Sequence, residues 1–172
     1  MKYSNKEFHC EKFENINLEL ENFDNTTLEN CEFKNCVINS ISIKNTKFLN
    51  VKFYNCKIIG LKIEDSNNLF LDFKFENSKI EGCDFSNLNI QNTKFINCNI
   101  ISSNFQKTNL TNSSFEYSNL QDSIFANTNL TNVNFKESFN YNINPTENKI
   151  KNAKFSQPEV INLLKYFKIK IE

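Results

Sequence analysis

Residues 108–132 read TNLTN SSFEY SNLQD SIFAN TNLTN. Leu110, Phe115, Leu120, Phe125 and Leu130 stand five apart. Each is preceded two positions earlier by a small hydroxyl residue: Thr108, Ser113, Ser118, Ser123 and Thr128. Neither the 3.6-residue period of an amphipathic helix nor the alternation of a half-buried strand produces this pattern. A large apolar residue and a small one, two positions apart, point to the same side of a short extended segment. The chain must then turn before the next segment begins. Four such segments close a square coil of twenty residues, and Thr108-Asn109-Leu110-Thr111-Asn112 recurs twenty residues on, from Thr128 to Asn132.

The period extends far beyond this stretch. From Phe8 every fifth residue is Phe, Leu or Ile as far as Ile63. The phase then slips by two residues across 65–69 and resumes from Phe70 to Phe135. Fourteen of the 18 Phe lie on this ladder of 26 centres. The position two before a centre is small or thiol-bearing, as at Cys31, Cys36, Thr46, Cys56, Ser78, Cys83 and Cys98. The position two after is most often Asn, as at Asn25, Asn45, Asn92 and Asn132. Asn tolerates positive φ better than other non-Gly residues, which lets it form corners. That is how a chain full of turns manages with 33 Asn and 2 Gly. Successive coils should pair as parallel strands roughly 4.8 Å apart, giving a rod on the order of 30 Å long. From Phe75 onward Phe alternates with Ile or Leu. Phe should therefore fill two opposite walls and aliphatic residues the other two.

After Phe135 the pattern frays, although Ile150 and Phe155 remain in phase. Two parts follow: a coiled region over 1–135 and a terminal element over 136–172. Ser156-Gln157-Pro158-Glu159 reads as a capping box and predicts a helix over 157–167, with Val160, Ile161, Leu163, Leu164 and Phe167 as its apolar positions. Ile169 and Ile171 alternate with lysines and predict a short terminal strand. A solenoid needs its open ends covered, because bare strand edges invite pairing.

Composition excludes much chemistry. Two glycines cannot furnish a phosphate-binding loop, a dinucleotide fingerprint or a nucleophile elbow. Twenty Lys balance 20 acids and Arg is absent, which argues against direct nucleic-acid binding. No apolar run is long enough to span a membrane. The N-terminus, MKYSNKEFHC, has no signal-like stretch, so the expected location is cytoplasmic. His9 is the single histidine and should face outward from the first coil; it lacks partners for a catalytic dyad or a metal site. Cys36 and Cys56, twenty residues apart, should stack within disulfide range. In a reducing compartment, however, they read as small buried hydrophobes. Glu19 and Glu21 should project outward, with nothing to bury them. No enzyme activity, cofactor or metal is expected, and function should lie in binding at the outer faces.

Charge is segregated along the chain. Residues 1–33 carry eight acids and three lysines, whereas 34–64 carry six lysines and one acid. Residues 65–135 then hold seven acids and four lysines, and 136–172 hold seven lysines and four acids. Lys44, Lys47, Lys52, Lys57 and Lys62 fall on successive walls, so the basic band should ring the coil as a solvated girdle.

The repeat resembles that of the pentapeptide repeat family, whose unit is a small residue, Asp or Asn, Leu or Phe, and two polar residues. The resemblance covers Phe8 to Phe135 and implies an all-β solenoid, a right-handed quadrilateral β-helix. A short C-terminal capping helix and terminal strand would close it. The Phe-rich, Cys-tolerant repeat and its tail are similar to the branch that holds the Qnr-type quinolone-resistance and microcin-immunity proteins. This implies a rod that engages DNA gyrase or topoisomerase IV and protects it from a quinolone or a peptide toxin. It also implies a homodimer through the C-terminal element, with Val160, Ile161, Leu164, Phe167, Ile169 and Ile171 as interface residues. Two alternatives stay open: a tail that only caps, and a protein-interaction scaffold with another partner and no DNA mimicry.

Overall fold

In the computed structural model, which describes residues 2–170, the five-residue segments wind into four walls. Pairing is parallel and steps by twenty residues: Phe8 with Leu28, Phe13 with Phe33, Ile38 with Ile58, Phe75 with Phe95. Most strands are three residues long, such as Glu32–Lys34 and Lys94–Ile96, because a corner follows each. Later coils continue the same step through single parallel bridges, among them Asn104 to Ile124 and Asn109 to Asn129. The result is a parallel β-solenoid of about seven coils.

In the regular coils the corner residues take positive φ. Asn25, Asn45, Asn92 and Asn132 sit at 54°, 53°, 62° and 59°. Their amides stack from coil to coil: Asn25 Nδ2 donates to Asn5 Oδ1 at 3.2 Å, Asn45 Nδ2 to Asn25 Oδ1 at 3.2 Å, and Asn132 Nδ2 to Asn112 Oδ1 at 2.9 Å. Asn thus supplies both the left-handed backbone and an external hydrogen-bonded ladder. Gly60 and Gly82, at φ 64° and 60°, also occupy corners. Leu20, Lys107, Tyr117 and Glu137 adopt the same conformation at 56° to 60°, although each carries a side chain that disfavours it.

Inside, the second wall carries one continuous aromatic stack. Phe13, Phe33, Phe53, Phe75, Phe95, Phe115, Phe135 and Phe155 follow each other with ring centroids 4.5–5.3 Å apart and nearly parallel planes. On the opposite wall Phe85, Phe105 and Phe125 form a shorter stack at 4.9 and 5.0 Å. The two stacks meet edge to face, as between Phe95 and Phe105 at 5.8 Å and 87°. Such aromatic pairs contribute about 0.5–1.5 kcal/mol each beyond their area burial.

The small inward column also bonds the coils together. Thr46 Oγ1 donates to the Phe23 carbonyl at 2.7 Å, Thr108 Oγ1 to that of Phe85 at 2.7 Å, and Ser118 Oγ to that of Phe95 at 2.9 Å. Ser118 Oγ also accepts from the Cys98 N–H at 2.9 Å. A hydroxyl here satisfies backbone groups of the preceding coil, which buried amides and carbonyls require. All six thiols are free; Cys10 is exposed and the other five are buried in this column. Burial pushes the Cys83 thiol up to about 11 and that of Cys98 up to about 12. Cys56 is also raised, first by its hydrogen bond with Cys36 and then by burial.

The two-residue slip breaks the step to 22, so that Phe53 pairs with Phe75 and Ile58 with Ile80. A single 3-10 turn over Ile63–Asp65 begins the break. The expectation that Phe70 resumes the inward ladder is corrected: Leu71 pairs with Phe48, and Phe70 is 40% exposed. Phe73, opposite Val51 in a small-residue position, turns inward instead, with its ring 5.0 Å from that of Phe48. The added residues rotate Phe70 out of the wall, and Phe73 fills the vacated interior.

At the other end Phe155 pairs with Phe135 in register. Ile143, however, pairs with Phe125 two residues short of the step. Asn148 replaces the usual hydroxyl: its Oδ1 accepts from the Thr128 N–H at 2.9 Å and its Nδ2 donates to the Phe125 carbonyl at 3.0 Å. At the N-terminal end Tyr3 closes the interior by stacking on Phe23 at 4.6 Å.

Two outcomes follow for solution measurements. Leu20→Asn relieves the left-handed Leu and raises stability to heat or urea by about 1 kcal/mol; unchanged or lowered stability would contradict the corner assignment. Alkylation at mildly alkaline pH labels Cys10 alone in the folded protein and all six cysteines in denaturant, because Cys10 is exposed and the other five are closed to the reagent.

Candidate interaction surface

The chain ends in a 3-10 helix over Glu159–Phe167. Side chains three apart eclipse in such a helix, so it presents three straight ridges. Val160, Leu163 and Tyr166 form the inner one: Leu163 is buried, Val160 packs on the core, and the Tyr166 hydroxyl donates to Asn142 Oδ1. Glu159, Asn162 and Lys165 form a polar ridge. Ile161, Leu164 and Phe167 form the third, with 47%, 38% and 52% of their surface exposed. Ile169, beyond the helix, is 55% exposed.

These positions sort the six residues expected at a dimer contact. Ile161, Leu164, Phe167 and Ile169 lie on the surface. Val160 does not join them, because three-residue periodicity turns it onto the core. Ile171 lies outside the described residues. Ile169 and Lys170 follow the left-handed Lys168 as irregular chain. Ser156 does not cap the helix; its Oγ accepts from the Glu137 N–H at 3.0 Å and donates to the Glu137 carboxylate at 3.1 Å. The preceding coil captures the hydroxyl before the helix can use it.

A second apolar feature projects from the side of the rod. Leu69 is 85% exposed beside Phe70 at the slip, and Lys47 Nζ lies 5.3 Å from the Phe70 ring centroid. Sequence reasoning assigned Phe70 to the interior and so missed this surface. The signal was present in Leu71-Asp72-Phe73-Lys74-Phe75, whose alternation directs Leu71, Phe73 and Phe75 to one face and leaves Phe70 on the other.

The remaining outer walls are electrically mixed. Lys34 lies 3.1 Å from Glu32 and 4.0 Å from Glu14, and Lys52 lies 3.7 Å from Glu32. Lys34 holds the Glu32 carboxyl below its ordinary value, chiefly by hydrogen bonding. Exposed pairs of this kind contribute little to stability. His9 is exposed, and its Nδ1 donates to Glu29 Oε2 at 2.8 Å. Among the described residues no three His, Cys, Asp or Glu side chains converge as a metal site would require. No helix of the described residues is long and apolar enough to cross a membrane.

Comparison with known proteins matches this architecture. Residues 6–85 and 68–144 match the family profile of the pentapeptide repeat region. No protein of curated function matches the sequence. Among solved structures, a trypsin-treated form of QnrB1, a plasmid-mediated fluoroquinolone resistance protein, superposes with a TM-score of 0.70 at 12% identity, covering 96% of this chain and 90% of that one. HetL is a pentapeptide repeat protein involved in heterocyst differentiation regulation from the cyanobacterium Nostoc sp. strain PCC 7120. It matches with a TM-score of 0.51 at 9% identity over 87% of this chain and 86% of its own. At these identities the likeness concerns the fold.

Proposed function

The chain belongs to the pentapeptide repeat family, and from that premise we propose that it is a non-catalytic binding protein acting on a type II topoisomerase. In this reading it engages DNA gyrase or topoisomerase IV in the bacterial cytoplasm and protects the enzyme from a quinolone or a peptide toxin. The observation that carries the reading is a continuous four-walled rod with an exposed apolar ridge at one end. A ridge of Ile161, Leu164 and Phe167 left in water is unfavourable, and a two-fold contact between two copies would cover it. The working form is then a homodimer with the two rods extending away from the joined C-terminal elements. Leu69 and Phe70 offer the enzyme an apolar contact on the flank of each rod.

A second reading, a scaffold for another protein partner without DNA mimicry, draws on the mixed charge of the walls. Residues 1–135 hold 13 lysines against 16 acids, and the first coils of the second wall pair Lys34 and Lys52 with Glu14 and Glu32. HetL, a pentapeptide repeat protein involved in heterocyst differentiation regulation, shows that the fold is not confined to fluoroquinolone resistance.

Gyrase supercoiling assays with and without a quinolone separate the two. Under the first reading the protein restores supercoiling in the presence of the drug. Leu164→Asp combined with Phe167→Asp then sediments at half the mass and loses protection. Absence of protection, of inhibition and of a complex on a sizing column removes the topoisomerase reading. A double variant that sediments like the parent removes the ridge as the dimer contact.

A further inference from the structure

Between the polar ridge of the C-terminal helix and the wall of Phe85, Phe105 and Phe125 lies a cleft of about 920 Å³. It sits where the last coil loses the twenty-residue step and Ile143 pairs with Phe125. Asp122 contributes a carboxylate from a corner, Glu147 from the irregular coil and Glu159 from the helix. Among the described residues none of the three is in an ion pair. Glu147 and Glu159 each accept one amide hydrogen bond, from Asn144 and Asn162, both at 2.9 Å. Lys165 is the single cation of the lining, and its ammonium lies 5.2 Å from the centroid of the Tyr166 ring.

An independent observation comes from the inner end of the cleft. Tyr141 is 3% exposed, with its ring 5.9 Å from that of Phe135 and 5.5 Å from that of Phe155. Its hydroxyl is the one buried side-chain polar atom among the described residues without a hydrogen-bond partner. Buried hydroxyls are ordinarily paired. Burial pushes this phenol up to about 12, and the nearby Glu159 charge adds to the effect. The group is therefore a neutral hydroxyl without a partner in the lining that also holds Glu159.

We propose that the cleft binds an elongated organic cation bearing several primary ammonium groups, one of them held between the Glu159 carboxylate and Tyr141 Oη. An ammonium has three N–H donors and no acceptor, which matches a carboxylate, a phenol oxygen and the amide oxygens around them. Three carboxylates against one lysine disfavour an anion. Their placement on three separate elements suits charges spaced along a chain rather than a single ion. Such a ligand is either a free polyamine or a lysine-rich peptide segment.

Calorimetric titration of the full chain with spermidine, and separately with tetralysine, tests this. The expected result is saturable one-to-one binding of at least one probe, weakened about tenfold by Glu159→Gln, as loss of a charged hydrogen bond implies. Tyr141→Phe removes only the unpartnered hydroxyl and should weaken binding severalfold in a folded protein. Glu116→Gln, on the second wall, should leave it unchanged. Binding of spermidine identifies a diffusible amine, and binding of tetralysine alone identifies a peptide. If neither probe saturates, or if Glu116→Gln weakens binding as much as Glu159→Gln, the proposal is overturned.

Discussion

A side chain can stack on its equivalent one coil above only where parallel backbone pairing brings the two into register, as it does even for Phe53 and Phe75 across the slip. That constraint governs the whole rod. With twenty residues per coil, parallel backbone pairing brings Phe33 over Phe13 and Phe115 over Phe95, and it also brings Asn45 over Asn25 on the outside. Interior stacks and exterior amide ladders are two consequences of one register. The small column completes the arrangement, because a Ser or Thr hydroxyl is short enough to stay beside the backbone and reach a carbonyl of the coil before.

Where the count changes, side chains are redistributed between core and surface. Two added residues at 65–69 carry Phe70 outward, and the interior stays filled only because Phe73 takes a position that is small elsewhere. Two residues fewer before Ile143 shift its pairing with Phe125, and the cleft and the unpaired Tyr141 hydroxyl lie beside this irregularity. The cleft and the exposed Leu69, Phe70, Phe139, Ile161, Leu164, Phe167 and Ile169 therefore lie at irregularities of the count or at the end of the rod, whereas Leu20, Val37, Tyr117 and Ile124 are exposed singly on regular coils.

Much of this was legible in the amino-acid sequence because a five-residue period has few structural solutions. The four walls, the Phe columns on opposite sides, the Asn corners and the outward His9 all follow from spacing. Three features did not. Leu20, Lys107, Tyr117 and Glu137 hold left-handed corners that their side chains disfavour, since backbone pairing on both sides imposes the conformation. Phe70 and Phe73 exchanged roles because period five and period two compete across the slip, and the alternating strand prevailed. In the tail, Val160 and Ile161 share a face in an α-helix but occupy different ridges in the 3-10 helix that forms. Val160 accordingly sits half-buried against the core, while Ile161 is exposed.

The register and its Phe stack are tested most directly by urea unfolding of Phe95→Ala, a variant at the middle of the eight-ring column. Phe95 is fully buried and stacks on Phe75 below and Phe115 above, so a cavity there interrupts the column and the edge-to-face contacts across it. A loss of about 3–5 kcal/mol is predicted. A loss below about 1 kcal/mol, the size of an ordinary substitution, would contradict an interior held by stacked rings.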